Sequence, residues 1–270
     1  MIIPPADVVR RNMSSGEGTM DIAEIGGTLK RAGHLRLEPL CIYESKERPE
    51  GGRPFGDVDR CIAKAVLMCA KGEEPLLYIS ADARAGVCPG GQSWLGLTEM
   101  AEGLKYFIST GSPAFRGGEA EHLKRDPELV TRSKAFVGRV RPPQAHLCVA
   151  QCARYRQGTG QPRAILLFAE AEQLRNLLAL HHFGTPDAFT STSAPWGPSC
   201  ASFLTYPAGL ASNCPDQALI IGPVDPTGNR WLPPDLMSLG IKVRDAERMA
   251  RDVPASFLTK RPQVAFPDGR

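Results

Sequence analysis

The sequence predicts an α/β protein with a mixed, mainly parallel sheet and flanking helices. Three observations carry this: short apolar runs at 40–44, 76–80 and 164–169, amphipathic segments between them, and Gly/Pro-rich turns where the periodicity stops. A continuous apolar run such as 164–169 suits a central strand covered on both faces. Strand–helix–strand order implies parallel neighbours joined by right-handed crossovers.

The elements follow in order. Residues 21–32 read as a short helix weakened by Gly26 and Gly27. A strand at 40–44 leads into a charged, Gly/Pro-rich loop at 46–56. Asp57 is a suitable N-cap for a helix over 57–72, with Val58, Ile62, Ala65, Val66 and Cys69 at helical spacing and Gly72 as its stop. Residues 76–80 form a buried strand, 84–93 a turn-rich loop, 95–108 a helix, 111–127 a loop and 127–137 a further helix. Extended segments are expected at 146–153 and 164–169. The helix over 170–183 has Leu174, Leu177, Leu178 and His181 on one face and Gly184 beyond its end. A strand at 187–193, a loop at 195–200, a strand at 219–221 and a polar helix at 245–251 complete the reading.

Composition bounds what the chain can be. It has 270 residues, 42% hydrophobic and 23% charged, which suits a globular protein. The expected organisation is a disordered extension over 1–20, one α/β domain over 21–258 and a C-terminal tail over 259–270, with Met13 or Met20 as alternative starts. The net charge of +3, without a basic run, argues against nucleic acid as a partner. No apolar stretch approaches the roughly 20 residues of a membrane helix, and no signal-peptide pattern opens the chain. A cytoplasmic location follows as the expectation, with the eight cysteines reduced.

The two halves, 21–140 and 141–258, overlay as strand, helix, strand and cysteine-bearing loop. In this overlay the helix over 57–72 matches that over 170–183, and the loop with Cys88 matches the loop with Cys200. If the strands share one sheet, those loops meet at one edge, where ligands bind in such folds.

The segment with most chemical content is Gly86-Val87-Cys88-Pro89-Gly90-Gly91-Gln92-Ser93. A cysteine between a strand and a helix start meets the positive end of the helix dipole, which favours thiolate. Gly90, Gly91, Gln92 and Ser93 offer backbone and side-chain donors for a ligand. The lack of a Gly-Lys-Ser/Thr ending excludes a P-loop. Cys61, Cys88, Cys200 and Cys214 are the candidate metal ligands, drawn from distant segments because no C-x-x-C occurs. Cys41, Cys69 and Cys148 sit in apolar runs and read as core residues, and packing also explains Cys152. His34, His122, His146, His181 and His182 lie in no recognisable catalytic motif; His181 and His182 suit a helix C-terminus.

Cys61 in DRCIAKA, the Lys71-Gly72 helix end, the run from Cys88 through Gly90, Gly91, Leu95, Gly96 and Leu97, the AILLFAEAEQLRNLL segment, Cys200 and Cys214 together form a pattern. It resembles the family called domain of unknown function 169, or ArCR proteins, over roughly residues 21–258. That family implies no activity. Three readings of function stay open. In the first, a cysteine-lined pocket between two similar halves binds a metal, an iron–sulfur cluster or a small anionic ligand. In the second, Cys88 is the nucleophile of a thiol enzyme. In the third, the chain is an interaction protein with purely structural cysteines.

Overall fold

Asp21 opens the first helix, α1 (Ile22–Ala32), by accepting the amide of Glu24 at 2.6 Å on its side chain. The structure is a computed structural model that describes residues 19–137, 146–186, 188–189, 192–210, 217–226 and 231–260. After α1 come β1 (Leu40–Ser45), β2 (Arg53–Pro54), α2 (Phe55–Val58), α3 (Ile62–Lys71), β3 (Leu76–Ile79), α4 (Pro89–Trp94), α5 (Glu102–Ile108) and α6 (Pro127–Val137). The chain continues through β4 (His146–Gln151), β5 (Gln161–Glu170), α7 (Ala171–Phe183) and β6 (Thr192–Ser193). A π-helical turn (Ala201–Thr205) then runs directly into α8 (Tyr206–Gly209), followed by β7 (Leu219–Gly222), β8 (Leu236–Lys242), α9 (Val243–Asp252) and α10 (Phe257–Lys260).

The eight strands form one mixed sheet in the order β2-β3-β4-β1-β5-β8-β7-β6. The α/β class holds, but the expectation of mainly parallel pairing is corrected. Among the described residues, five of the seven pairings are antiparallel; only β2/β3 and β6/β7 are parallel. The reason lies in the connections. Parallel neighbours need a crossover, and these two edge pairs have one, through α2–α3 and through the π-helical turn with α8; the β3–β4 link also carries helices, α4 to α6, but brings β4 back antiparallel. Among the described residues the β7–β8 link contains no helix, and β8 returns antiparallel beside β7.

Alternation along β1 and β5 builds two cores. Leu40, Ile42, Leu166 and Phe168 face α3 and the π-helical turn, with Phe203 and Leu204 among the residues they meet. Cys41, Ile165, Leu167 and Ala169 face α1, α7 and α9, through residues such as Ile25, Leu177, Leu180 and Met249. A third cluster joins Trp94, Met100, Ile108 and Val130 to Ala201 and Tyr206.

This layering corrects the predicted overlay of the halves. The helices expected over 57–72 and 170–183 are α3 and α7, and they lie on opposite faces of the sheet. A boundary at 140/141 also divides strands that pair, since β4 sits between β3 and β1. Local corrections follow from caps. The predicted helix at 57–72 is two pieces: α3 begins after Cys61, which occupies its N-cap, and Gly72 ends it in the left-handed region at φ 86°. Pro89, whose ring presets a helical φ, starts α4 inside the expected loop. The helix expected from 95 starts only at Glu102. Of the segment expected to be extended over 187–193, β6 covers Thr192–Ser193, while 187, 190 and 191 lie outside the described residues. The expected extension lies almost wholly outside them too, as does most of the expected tail, although α10 reaches Lys260. No helix among the described residues is long and apolar enough to cross a membrane.

Candidate functional site

Three separate segments each deliver a cysteine to one pocket. The first is Cys61. Its amide donates to Asp59 Oδ1 at 2.8 Å, and Lys64 Nζ lies 2.6 Å from Asp59 Oδ2. Burial works to raise the Asp59 carboxyl, but the Lys64 and Cys61 hydrogen bonds outweigh it and hold the group below its ordinary value. The Asp59 carboxylate thereby fixes the start of α3.

The second is Cys88, the N-cap of α4. The Gly91 amide donates to its Sγ at 3.3 Å. The Cys88 amide donates to the Arg60 carbonyl at 3.0 Å, which ties this loop to the residue before Cys61. The Gln92 side-chain amide closes the loop by donating to the Val87 carbonyl at 2.8 Å.

The third is Cys200, immediately before the π-helical turn. Burial pushes its thiol well above the ordinary value, and negative charge on Cys88 and Cys61 pushes it further. The turn is held against α4 by Thr205, whose hydroxyl donates to the Trp94 carbonyl at 3.2 Å.

The cavity between these thiols measures about 170 Å³. That is close to the roughly 150 Å³ that accommodates a benzene-sized guest. Gly90 and Gly91 line it, and Trp94, Phe107 and Trp196 supply aromatic wall. Trp94 and Trp196 meet edge to face at 5.6 Å. The Tyr206 hydroxyl donates to the Trp196 carbonyl at 2.7 Å and fixes that wall. Glu121 and Asp225 are the carboxylates of the lining, which among the described residues contains no histidine, lysine or arginine.

The structure thus brings Cys61, Cys88 and Cys200 together with Gly90 and Gly91. Gln92 and Ser93 do not line the pocket. Gln92 turns back onto its own loop, and Ser93 is buried with its hydroxyl unpartnered. Cys214 lies outside the described residues. Among the described residues, no group of three Cys, His, Asp or Glu side chains is placed to hold a metal ion. Cys41, Cys69, Cys148 and Cys152 are buried in the sheet's cores, where burial pushes the Cys69 and Cys148 thiols up to about 12. Sequence reasoning missed the aromatic wall and Asp225. Trp94 and Phe107 lie in α4 and α5, and Trp196 and Asp225 in loops, and no local periodicity shows that these separate segments meet.

No curated protein and no solved structure matches the chain. The family model described as uncharacterised ArCR matches residues 28–252, a span that contains every described strand and the three pocket cysteines. The chain belongs to the DUF169 family of uncharacterised ArCR proteins.

Proposed function

We propose that the protein binds an iron–sulfur cluster in the pocket shared by Cys61, Cys88 and Cys200. The observation that carries this is the arrival of three thiols, from three separate segments, at one largely apolar cavity. The lining discriminates among the occupants that a cysteine pocket can take. Among the described residues, a small anion finds two carboxylates in the lining and no cationic side chain. A single ion finds no three ligands placed around it among the described residues. A cluster bridges thiolates that stand farther apart. It also brings the positive charge that three thiolates in a low-dielectric site require.

The test is anaerobic reconstitution of the full chain with ferrous iron and sulfide, followed by desalting. Retained iron and sulfide with a broad visible absorption band are expected. Cys61→Ser, Cys88→Ser and Cys200→Ser should each lower the iron retained, with folding checked by circular dichroism. Wild-type protein that retains no iron or sulfide overturns the reading.

One observation favours a second reading, a thiol enzyme with Cys88 as nucleophile: the Gly91 amide aimed at Cys88 Sγ. Such a site needs a base beside the sulfur. The pocket offers carboxylates rather than a histidine for that task. Turnover of an acyl or alkyl thioester probe that is abolished in Cys88→Ser and retained in Cys200→Ser would establish this reading instead.

A further inference from the structure

Cys61 and Cys88 are neighbours in backbone as well as in the pocket. Each is an extended N-cap residue, Cys61 of α3 and Cys88 of α4. The Cys88 amide donates to the carbonyl of Arg60, the residue before Cys61, at 3.0 Å. A backbone hydrogen bond of this kind holds paired chains about 5 Å apart. A disulfide spans Cα separations of about 4.4–6.8 Å. Both cysteines are free thiols, and both line the cavity. The close approach of the Gly56 and Gly86 backbones holds the two loops at this spacing.

Cys200 reaches the same cavity from a separate segment and in helical conformation. Burial holds it in its thiol form, and negative charge on Cys88 and Cys61 adds to that. Since the thiolate is the reacting species, Cys200 is a poor partner for exchange. The dithiol couple is therefore Cys61 with Cys88.

The lining selects what oxidises that couple. Two thiols give up two electrons as they close to a disulfide, so the oxidant must accept two. The cavity of about 170 Å³ has room for a small organic guest. Leu104, Phe107, Ile108 and Leu123 make its wall apolar beside the tryptophans. Among the described residues its charged lining groups are the carboxylates Glu121 and Asp225, which repel an anion. Such a lining favours a small, uncharged, apolar molecule. A two-electron acceptor of that description is an organic hydroperoxide.

We propose that the pocket reduces a small, uncharged organic hydroperoxide, with Cys88 attacking the peroxide and Cys61 closing the disulfide. This names a substrate class for the reading of Cys88 as nucleophile, on which it rests. It is chemistry of the cluster-free protein, because the disulfide consumes two of the three thiols that a cluster would use. Cys88 first loses its S–H proton to solvent. Its sulfur, oriented by the Gly91 amide at 3.3 Å, attacks the terminal oxygen of the hydroperoxide. The O–O bond breaks, and the OH stays on sulfur as a sulfenic acid. The alkoxide leaves and takes a proton from solvent to become the alcohol. The Cys61 sulfur then attacks the Cys88 sulfur. The S–S bond forms, and the OH departs as water with the Cys61 proton. The hydroperoxide is reduced and the two thiols are oxidised. An external dithiol restores them by exchange.

The test exposes the full chain, reduced and metal-free, to tert-butyl hydroperoxide. Peptide mapping should find a Cys61–Cys88 disulfide, with one tert-butanol released for each disulfide formed, and dithiothreitol should reverse it. The rate ratio of tert-butyl hydroperoxide to hydrogen peroxide should exceed that of free cysteine. Cys88→Ser should lose the reaction. Cys61→Ser should still consume one equivalent and leave Cys88 as a sulfenic acid that dimedone labels, which also shows that the variant folds. A Cys88–Cys200 disulfide in wild type overturns the pairing. A rate ratio no greater than that of free cysteine overturns the substrate class. Turnover of the thioester probe at Cys88 with tert-butyl hydroperoxide left unconsumed overturns this inference while the nucleophile reading stands. Cys88 inert toward both overturns that reading, and this inference with it.

Discussion

Gly56 and Gly86 meet backbone to backbone. A Cβ built on Gly56 would lie 1.8 Å from the Ala85 carbonyl oxygen, and Gly86, at φ +80°, faces the Gly56 carbonyl. Only glycine permits so close an approach. The contact presses the loop that carries Cys88 against the turn leading to Cys61, where the Cys88 amide reaches Arg60.

Gly56→Ala is therefore expected to displace the Cys88 loop. Overpacking of this kind costs about 1–3 kcal/mol. Urea unfolding should show that loss together with a changed rate of Cys88 alkylation. Unchanged stability and rate would show that the loop is not held by this contact.

The three pocket cysteines should differ in reactivity although all are partly accessible. Cys200 is held in its thiol form, first by burial and then by the negative charge of Cys88 and Cys61. The thiolate is the reacting species. Iodoacetamide at neutral pH should modify Cys88 well before Cys200, and peptide mapping over time checks the order. Cys41, Cys69, Cys148 and Cys152 should resist until the protein unfolds, because they are buried. Early labelling of Cys200 would contradict its placement.

How much of this was legible in the sequence depends on where the information sits. The first helix, the strands at 40–45 and 161–170 and the helix ending at Phe183 announce themselves through periodicity and caps. The meeting of Cys88 and Cys200 was anticipated from loops expected at one sheet edge. The route was different: Cys200 opens a crossover that α7 does not occupy. That crossover, Ala201–Gly209, was missed because Pro207 interrupts helical patterning. β8 was missed because Gly240 weakens its strand pattern; a Cβ there would meet Pro207 at 2.6 Å, so the glycine admits the crossover helix. Pairing sense is set by connections among distant segments, which local pattern does not encode.

Phe168 and Phe203 bind that crossover to the sheet. Both are fully buried, with ring centroids 5.1 Å apart, edge to face. Phe203→Ala removes a fully buried ring from the core. The expected cost is about 3–5 kcal/mol in unfolding free energy. Phe203→Leu, which keeps most of the apolar volume, should cost less than half as much. Chemical denaturation of both variants checks the ratio. Equal costs would mean that the loss is not one of packing.

His181 gives the fold a pH dependence. It is buried at the C-terminal end of α7, and its Nδ1 lies 2.9 Å from Arg248 Nη2. Arg248 donates there, so the imidazole is neutral and its proton resides on Nε2. Burial lowers its pKa to about 4, aided by the Arg248 charge and by His182 and opposed by Asp245. Asp252 also faces this cluster through Arg248, at 3.3 Å. Between pH 4 and the unfolded value of 6.5, the unfolded chain binds the proton that the folded chain refuses. Stability therefore rises with pH across that window and is fully present above it. Thermal unfolding followed from pH 7 to pH 4.5 should show a falling midpoint in wild type. His181→Asn, whose Oδ1 can still accept from Arg248, should flatten that slope. The carboxyls of Asp59 and Glu247, held below their ordinary values, also lose stability as they take up protons in acid, but wild type and His181→Asn share that contribution, so the difference in slope reads His181. An identical slope in the variant would assign the pH dependence to another group.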